Sequence, residues 1–334
     1  MAFHTRKLIL IFFALVGIPL LCLGFWWQSF VTTAIFPPEP KVVEIKSGSS
    51  FTRIASQLRE SGVISDARRF TLLARWRQAT GQIHAGEYLF EMAASPDEVL
   101  ARLVAGDIRK FQVTIPEGFN LREIAARMEK TGVGSAAEFL LLCNDIGFLK
   151  ELDVNAASLE GYLFPETYTY TSSTTPRLLL EAMVEQLNDE LAPELLKSAA
   201  ELGLDRHQLI TLASIIQKEA GNVMEMPIIS AVFNNRLQRR IALQADPTVI
   251  YGIADFDGNL TRKHLKTPTP YNTYRKRGLP PGPIASPGRF ALHAAANPAP
   301  SKDLYFVARG DGTHEFNATL KEHNRAVRRY QLRR

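Results

Sequence analysis

Cysteine is nearly missing from this chain: 334 residues hold two, Cys22 and Cys143. Cys22 lies inside an apolar run and Cys143 far away in a soluble region, so no disulfide framework organises the fold. Within Phe139–Cys143 the thiol reads as core rather than nucleophile. The seven histidines form neither an H-E-x-x-H motif nor a Cys/His cluster, which argues against a metal site. A glycine-rich phosphate loop is missing, and no cofactor is expected. A strong excess of one charge sign is missing too. The net charge is +5, part of it from Arg325, Arg328, Arg329, Arg333 and Arg334 near the C-terminus. Without a zinc-finger or RNP-type signature, that excess does not point to nucleic acid.

What is present begins with Leu8–Trp27, an uncharged run long enough to span a bilayer, which takes about 20 residues. Arg6 and Lys7 precede it and predict a cytoplasmic N-terminus; Trp26 and Trp27 suit the far interface. A cleaved signal peptide would have a shorter apolar core and a small-residue cleavage site, and Gly24–Gln28 is too bulky for one. The expected layout is a cytoplasmic tail over 1–7, a single span over 8–27 and a linker over 28–41. The soluble bulk then lies outside the cytoplasmic membrane. Phe36-Pro37-Pro38-Glu39-Pro40 reads as a stiff extended spacer holding the next domain off the membrane.

An internal repeat follows. Val43, Ile45, Gly48, Phe51, Ile54, Ala55, Leu58, Gly62 and Val63 match Val113, Ile115, Gly118, Leu121, Ile124, Ala125, Met128, Gly132 and Val133 at one constant offset. Each copy reads as strand, glycine turn and amphipathic helix. The first copy resembles a LysM-type module, a small fold that binds N-acetylglucosamine polymers. It would cover 42–106 as a βααβ-type unit and close with Ala85–Phe90 as a strand and Pro96–Val104 as a helix. The plainer alternative is a supersecondary unit that only gives the ectodomain bulk. The fold class expected overall is α+β, with a mixed α/β domain over 107–334. Its 107–200 part is helical and contains the second repeat; 201–334 carries the site. Gly118–Lys130, Ala136–Asn144 and Arg177–Ala200 are the expected helices of the first part. Between them Leu159–Tyr168 combines aromatics with Glu160 and Glu166, a composition suited to a sugar groove or to core packing.

The most informative stretch is Gln208–Ala220, read as a helix. Asp205 and Gln208 have capping-box spacing, and Gly221 stands where a helix terminator should. Leu209, Leu212, Ala213 and Ile216 form an apolar face that continues onto Glu219 in the last turn. Burial and the helix C-terminus would both raise that carboxyl's pKa towards the range of a general acid. The alternative is a structural ion pair with Lys218 or Arg236. Pro227 opens a second helix to about Arg240, and Thr248–Tyr251 is a short strand or helix. The Pro/Gly-dense stretch Thr267–Gly288 is a rigid loop suited to a cleft wall. Arg289–Ala296 reads as a helix, Leu304–Ala308 and His314–Phe316 as a hairpin, and Thr319–Tyr330 as a last helix.

Ala213–Glu219, Val232–Leu237, Leu243–Gly252, Tyr271–Tyr274, Gly278–Ile284 and Glu322-His323-Asn324, in this order, resemble the endolytic murein transglycosylases of the MltG (YceG-like) family. Leu159–Tyr168 matches another block of that pattern. The resemblance implies an inner-membrane enzyme with a periplasmic catalytic domain. It would cleave nascent peptidoglycan strands at the MurNAc–GlcNAc bond, leave 1,6-anhydroMurNAc ends and so terminate elongation, with peptidoglycan synthases as partners. One catalytic glutamate maps onto Glu219. The family often has a second glutamate two residues earlier, where this chain has Gln217, and Ala220-Gly221 departs from the usual polar residue after the acid.

Hydrolysing glycosidases generally use two carboxyl groups, whereas a lytic transglycosylase needs one acid that then acts as base. Gln244, Asp246, Tyr251, Tyr271, Asn272 and Glu166 are the residues expected to orient the sugar. Two other readings compete. One is a muramidase using water, with Asp246, Glu160 or Glu166 as second carboxylate; the other is a non-catalytic wall-binding scaffold.

Overall fold

The structure, a computed structural model, describes residues 13–35, 37 and 39–332. The expected tail 1–7, the start of the expected span, Phe36 and Pro38 of the spacer, and Arg333 and Arg334 lie outside the described residues. The chain divides into two compact units, one formed by 1–111 with 169–173 and the other by 112–168 with 174–334.

In the first unit a π-helical turn, Phe13–Gly17, leads into α1, Ile18–Thr32. Together they supply one helix, Ala14–Thr32, apolar and long enough to cross a membrane. The linker expected from residue 28 starts later, because helix continues to Thr32. Phe30 and Val31 are buried in the core of the unit, and Trp27 packs against it. No proline lies between Trp27 and Pro37, and these side chains gain more by burial than an extended spacer would allow. Ile35 then bridges to Ala94.

After α1 the order is β1 (Lys41–Ile45), α2 (Phe51–Glu60), α3 (Ala67–Trp76), β2 (Gly86–Phe90) and α4 (Pro96–Ala105). β1 and β2 pair antiparallel, with Val43 opposite Tyr88. Val43, Ile45, Ile54, Leu58, Phe70, Leu73, Tyr88, Phe90 and Leu103 fill the core between strands and helices.

The second copy of the repeat has the same local structure. Gly48 and Gly118 take φ of 75° and 76°, a left-handed turn that suits glycine. Ser50 caps α2, and Asn120, at the same repeat position, caps α5 (Leu121–Glu129) with a full capping box. Helix therefore starts three residues later than the expected Gly118. β3 (Phe111–Thr114) precedes this helix; α6 (Ala136–Cys143) and α7 (Ile146–Glu151) follow it, and β3 pairs with β4 (Thr167–Tyr170).

The long helix expected over Arg177–Ala200 is two helices, α8 (Pro176–Glu190) and α9 (Pro193–Glu201). Ala192 is extended because Pro193 disfavours helical geometry in the residue before it. The remaining elements are α10 (Arg206–Glu219), α11 (Met226–Gln238), α12 (Asp246–Tyr251), α13 (Arg262–Lys266), α14 (Arg289–Ala296), the antiparallel hairpin β5 (Tyr305–Ala308) and β6 (His314–Asn317), and α15 (Leu320–Tyr330). α10 is the centre of this unit. Every residue from Leu209 to Ile216 is buried, so the helix has no solvent face there rather than the single apolar stripe expected. Its two buried hydroxyls are satisfied within the helix: Thr211 donates to the His207 carbonyl at 2.7 Å and Ser214 to the Thr211 carbonyl at 2.7 Å.

Candidate active site

The proline- and glycine-rich loop is strapped along α10 at three points. His207 Nε2 lies 2.9 Å from the Pro281 carbonyl, which can only accept, so this nitrogen carries the proton. Nδ1 lies 2.8 Å from the Tyr162 hydroxyl oxygen. One level on, the Ile284 N–H donates to Ser214 Oγ at 3.1 Å. In the last turn the Gly288 N–H donates to Gln217 Oε1 at 3.0 Å. Gly161 lets the other wall close. A Cβ there would lie 2.3 Å from Pro283 Cβ, and its φ is +78°.

These contacts fix the end of α10, where Glu219 is the last helical residue. Lys218, one of the two ion-pair partners in the alternative reading of Glu219, donates from Nζ to the Gly118 carbonyl at 3.1 Å. The capping box of Asp205 and Gln208 forms. Gly221 does not terminate the helix in a left-handed conformation: Ala220 leaves it in extended geometry. What position 221 requires is space, since a Cβ there would come 2.7 Å from the Gly312 carbonyl oxygen in the turn between β5 and β6. That turn is held from behind by Glu225, which accepts from the His314 N–H at 3.0 Å and pairs with His314 Nδ1 at 2.7 Å.

Glu219 is partly exposed as a residue, yet its carboxyl group is surrounded by protein. Burial pushes its pKa up to about 8; the negative charge of Asp246 adds to the rise and the Arg236 guanidinium opposes it. Arg236 forms no salt bridge with Glu219. It is buried and donates from Nε to the Leu304 carbonyl and from Nη1 to the Leu243 carbonyl, each at 2.6 Å. Its cation therefore acts on Glu219 through space while pinning two loops.

Asp246, which opens α12, accepts a 2.6 Å hydrogen bond from the Tyr274 hydroxyl. Tyr274 belongs to the Tyr271–Tyr274 block but was not singled out as a site residue; no side-chain periodicity marks it. Gln244 is exposed at φ +52°, an uncommon conformation for a residue with a side chain, and its N–H donates to the Thr273 carbonyl at 3.2 Å. Such local strain is often found beside functional groups.

A second buried acid accompanies this cluster. Glu160 is 5% exposed, and burial raises its pKa to about 7. It accepts from the Leu121 N–H at 3.2 Å and from the Tyr251 hydroxyl at 2.9 Å. Tyr251 in turn packs its ring 4.7 Å from that of Tyr271. Tyr251 is thus committed to Glu160, while Tyr271 is the half-buried end of this chain of groups.

Two expected sugar-orienting residues are placed differently. Asn272 is fully buried. Its Nδ2 donates to the carbonyls of His264, Leu265 and Thr267, and its Oδ1 accepts from the Tyr274 N–H. It holds the loop and keeps no free atom for a ligand. Glu166 is exposed and accepts from the Thr167 N–H at 2.9 Å. Among the described residues no group of three or more His, Cys, Asp or Glu is arranged to hold a metal ion. Asp246 and Tyr274, with the Arg236 cation, therefore remain as the polar groups electrostatically linked to Glu219, and Gln244 lies two residues before Asp246 in the chain.

Comparison with known proteins finds relatives along most of the chain. The model of the YceG-like family matches residues 43–329. An endolytic murein transglycosylase of Bacillus subtilis is 34% identical over 305 residues, 86% of this chain and 84% of that protein. One from Streptococcus pneumoniae serotype 2 is 27% identical and covers 97% of this chain, which in turn spans 65% of its length. The crystal structure of a yceG-like protein from Listeria monocytogenes superposes with a TM-score of 0.61 at 32% identity, covering 86% of this chain and 98% of that one.

Proposed function

The chain belongs to the YceG-like family, and from that premise we propose that it is an endolytic murein transglycosylase with Glu219 as its acid and base. The observation that carries this is a carboxyl group whose burial and whose neighbour Asp246 keep it protonated at neutral pH. Protonated Glu219 donates to the glycosidic oxygen as the MurNAc–GlcNAc bond breaks. The oxocarbenium-like sugar then sits near the Asp246 carboxylate, which the Tyr274 hydroxyl holds in place. Glu219, now ionised and still close to the Arg236 cation, removes the proton from the C6 hydroxyl. That oxygen closes on C1 and gives the 1,6-anhydro ring. No water is consumed, so atoms balance within the cleaved strand.

Asp246 also favours a second reading, a muramidase in which it activates water. Of the three acids weighed for that role, Asp246 is the one whose charge raises the pKa of Glu219. We read residues 42–106 as the LysM-like module, supported by their strand–helix–helix–strand order and the antiparallel β1–β2 pair. The helix Ala14–Thr32 is taken as a single inner-membrane anchor with the catalytic unit in the periplasm, acting on glycan strands beside their synthases.

Glu219→Gln tests the proposal. Purified sacculi incubated with this variant should release no anhydro-muropeptides while its circular dichroism matches wild type. Undiminished release by the folded variant would refute it.

A further inference from the structure

We propose that α3 docks flat on the outer surface of the membrane that α1 crosses, with Leu72 and Trp76 in the headgroup layer and Arg68 and Arg75 on anionic lipid phosphates. This rests on reading α1 as a membrane anchor.

The first observation is the composition of the exposed face of α3. Arg68, Leu72, Arg75 and Trp76 follow i, i+4, i+7, i+8 spacing, all four exposed, while Phe70, Leu73 and Ala74 on the opposite face are buried. Trp76 is 66% exposed and Leu72 53%. Two large apolar side chains interleaved with arginines form the pattern of a helix that lies in a bilayer interface. Arg77 shields one side of the Trp76 ring, at 5.0 Å, and is itself paired with Asp97.

The second observation, which selects lipid as the occupant, is where this face sits along the anchor. The Arg69 guanidinium lies 4.6 Å from the Trp26 ring and 4.7 Å from the Phe30 ring of α1. Trp26 and Trp27 close the apolar run, where interfacial tryptophans belong. From Trp26 to Phe30 the helix rises about 6 Å, comparable with the depth of one headgroup layer. Arg69 therefore lies at headgroup depth, and α3 with it. Trp27, Phe30 and Val31 are part of the unit's core contacts, so helix and domain form one body with no free spacer to lift α3 away. Anionic lipid then complements the charges of Arg68 and Arg75.

The test uses the full chain reconstituted into phosphatidylethanolamine–phosphatidylglycerol vesicles, with flotation after a salt wash reporting the anchor. Trp76's share of the emission is the difference between wild type and W76F. That share should be lost when the acyl chains are brominated near the headgroup and should be protected from acrylamide in the water. R68Q/R75Q should restore acrylamide access. A floating chain whose Trp76 stays open to acrylamide and untouched by brominated lipid overturns the proposal. Protection from acrylamide without quenching by brominated lipid also overturns it, because protein then covers the face. A chain that fails to float refutes the anchor, and the docking with it.

Discussion

Gln217 Oε1 accepts a hydrogen bond from the Gly288 N–H at 3.0 Å, two residues before the acid. Only an acceptor is required of position 217. The glutamate that the family often places there would satisfy the same N–H. Gln217→Glu is therefore expected to keep kcat/KM close to wild type. Gln217→Ala frees the end of α10 from the loop and leaves the Gly288 N–H without its partner, a loss of about 1–3 kcal/mol. Steady-state kinetics and thermal melts of both variants check this; equal impairment of the two would show that the amide itself is needed.

The protonation state of Glu219 sets the alkaline limit of activity. With a pKa of about 8, kcat/KM should fall as pH rises through that value. Asp246 contributes to the rise, so Asp246→Asn should move the limb to lower pH. A limb that stays in place in that variant would separate Asp246 from the acid.

The same group makes stability depend on pH. Its pKa in the folded chain lies above the ordinary carboxylate value, so unfolding releases a proton between about 4.5 and 8. Wild type should lose stability as pH rises across that window. Glu219→Gln removes the titration, so its advantage in melting temperature should grow from pH 5 to pH 8. Parallel melting curves at both pH values would contradict the buried, neutral carboxyl.

Gly161 and Gly221 are close-approach positions. Gly161→Ala combines positive φ with a clash against Pro283, and Gly221→Ala pushes on the carbonyl of Gly312. Overpacking alone should cost each about 1–3 kcal/mol in chemical denaturation. The Gly221 variant should also lose activity beyond its stability loss, since the displaced turn lies beside the acid. Activity that falls only in proportion to the folded fraction would refute that second effect.

Local signals in the sequence were reliable where chemistry is local. The capping box of Asp205 and Gln208, the paired glycines Gly48 and Gly118, and the hairpin around Gly310–Gly312 follow from backbone preferences a few residues long. The buried acid at the end of its helix could be read from spacing. Long-range partners could not. The duties of Asn272, Glu160 and Tyr274 depend on segments 5 to 91 residues apart meeting in space, and side-chain type alone does not say whether an amide faces a sugar or a carbonyl. The break at Pro193 was legible and was outweighed by the helical pattern on either side of it.

The most direct test of a single acid that becomes the base is the chemistry of the product end. Wild-type protein acting on uncross-linked glycan strands should yield fragments that mass spectrometry finds one water lighter than hydrolysis products and that borohydride does not reduce. Fragments carrying a reducible MurNAc end would contradict the account and assign water, activated beside Glu219, as the nucleophile.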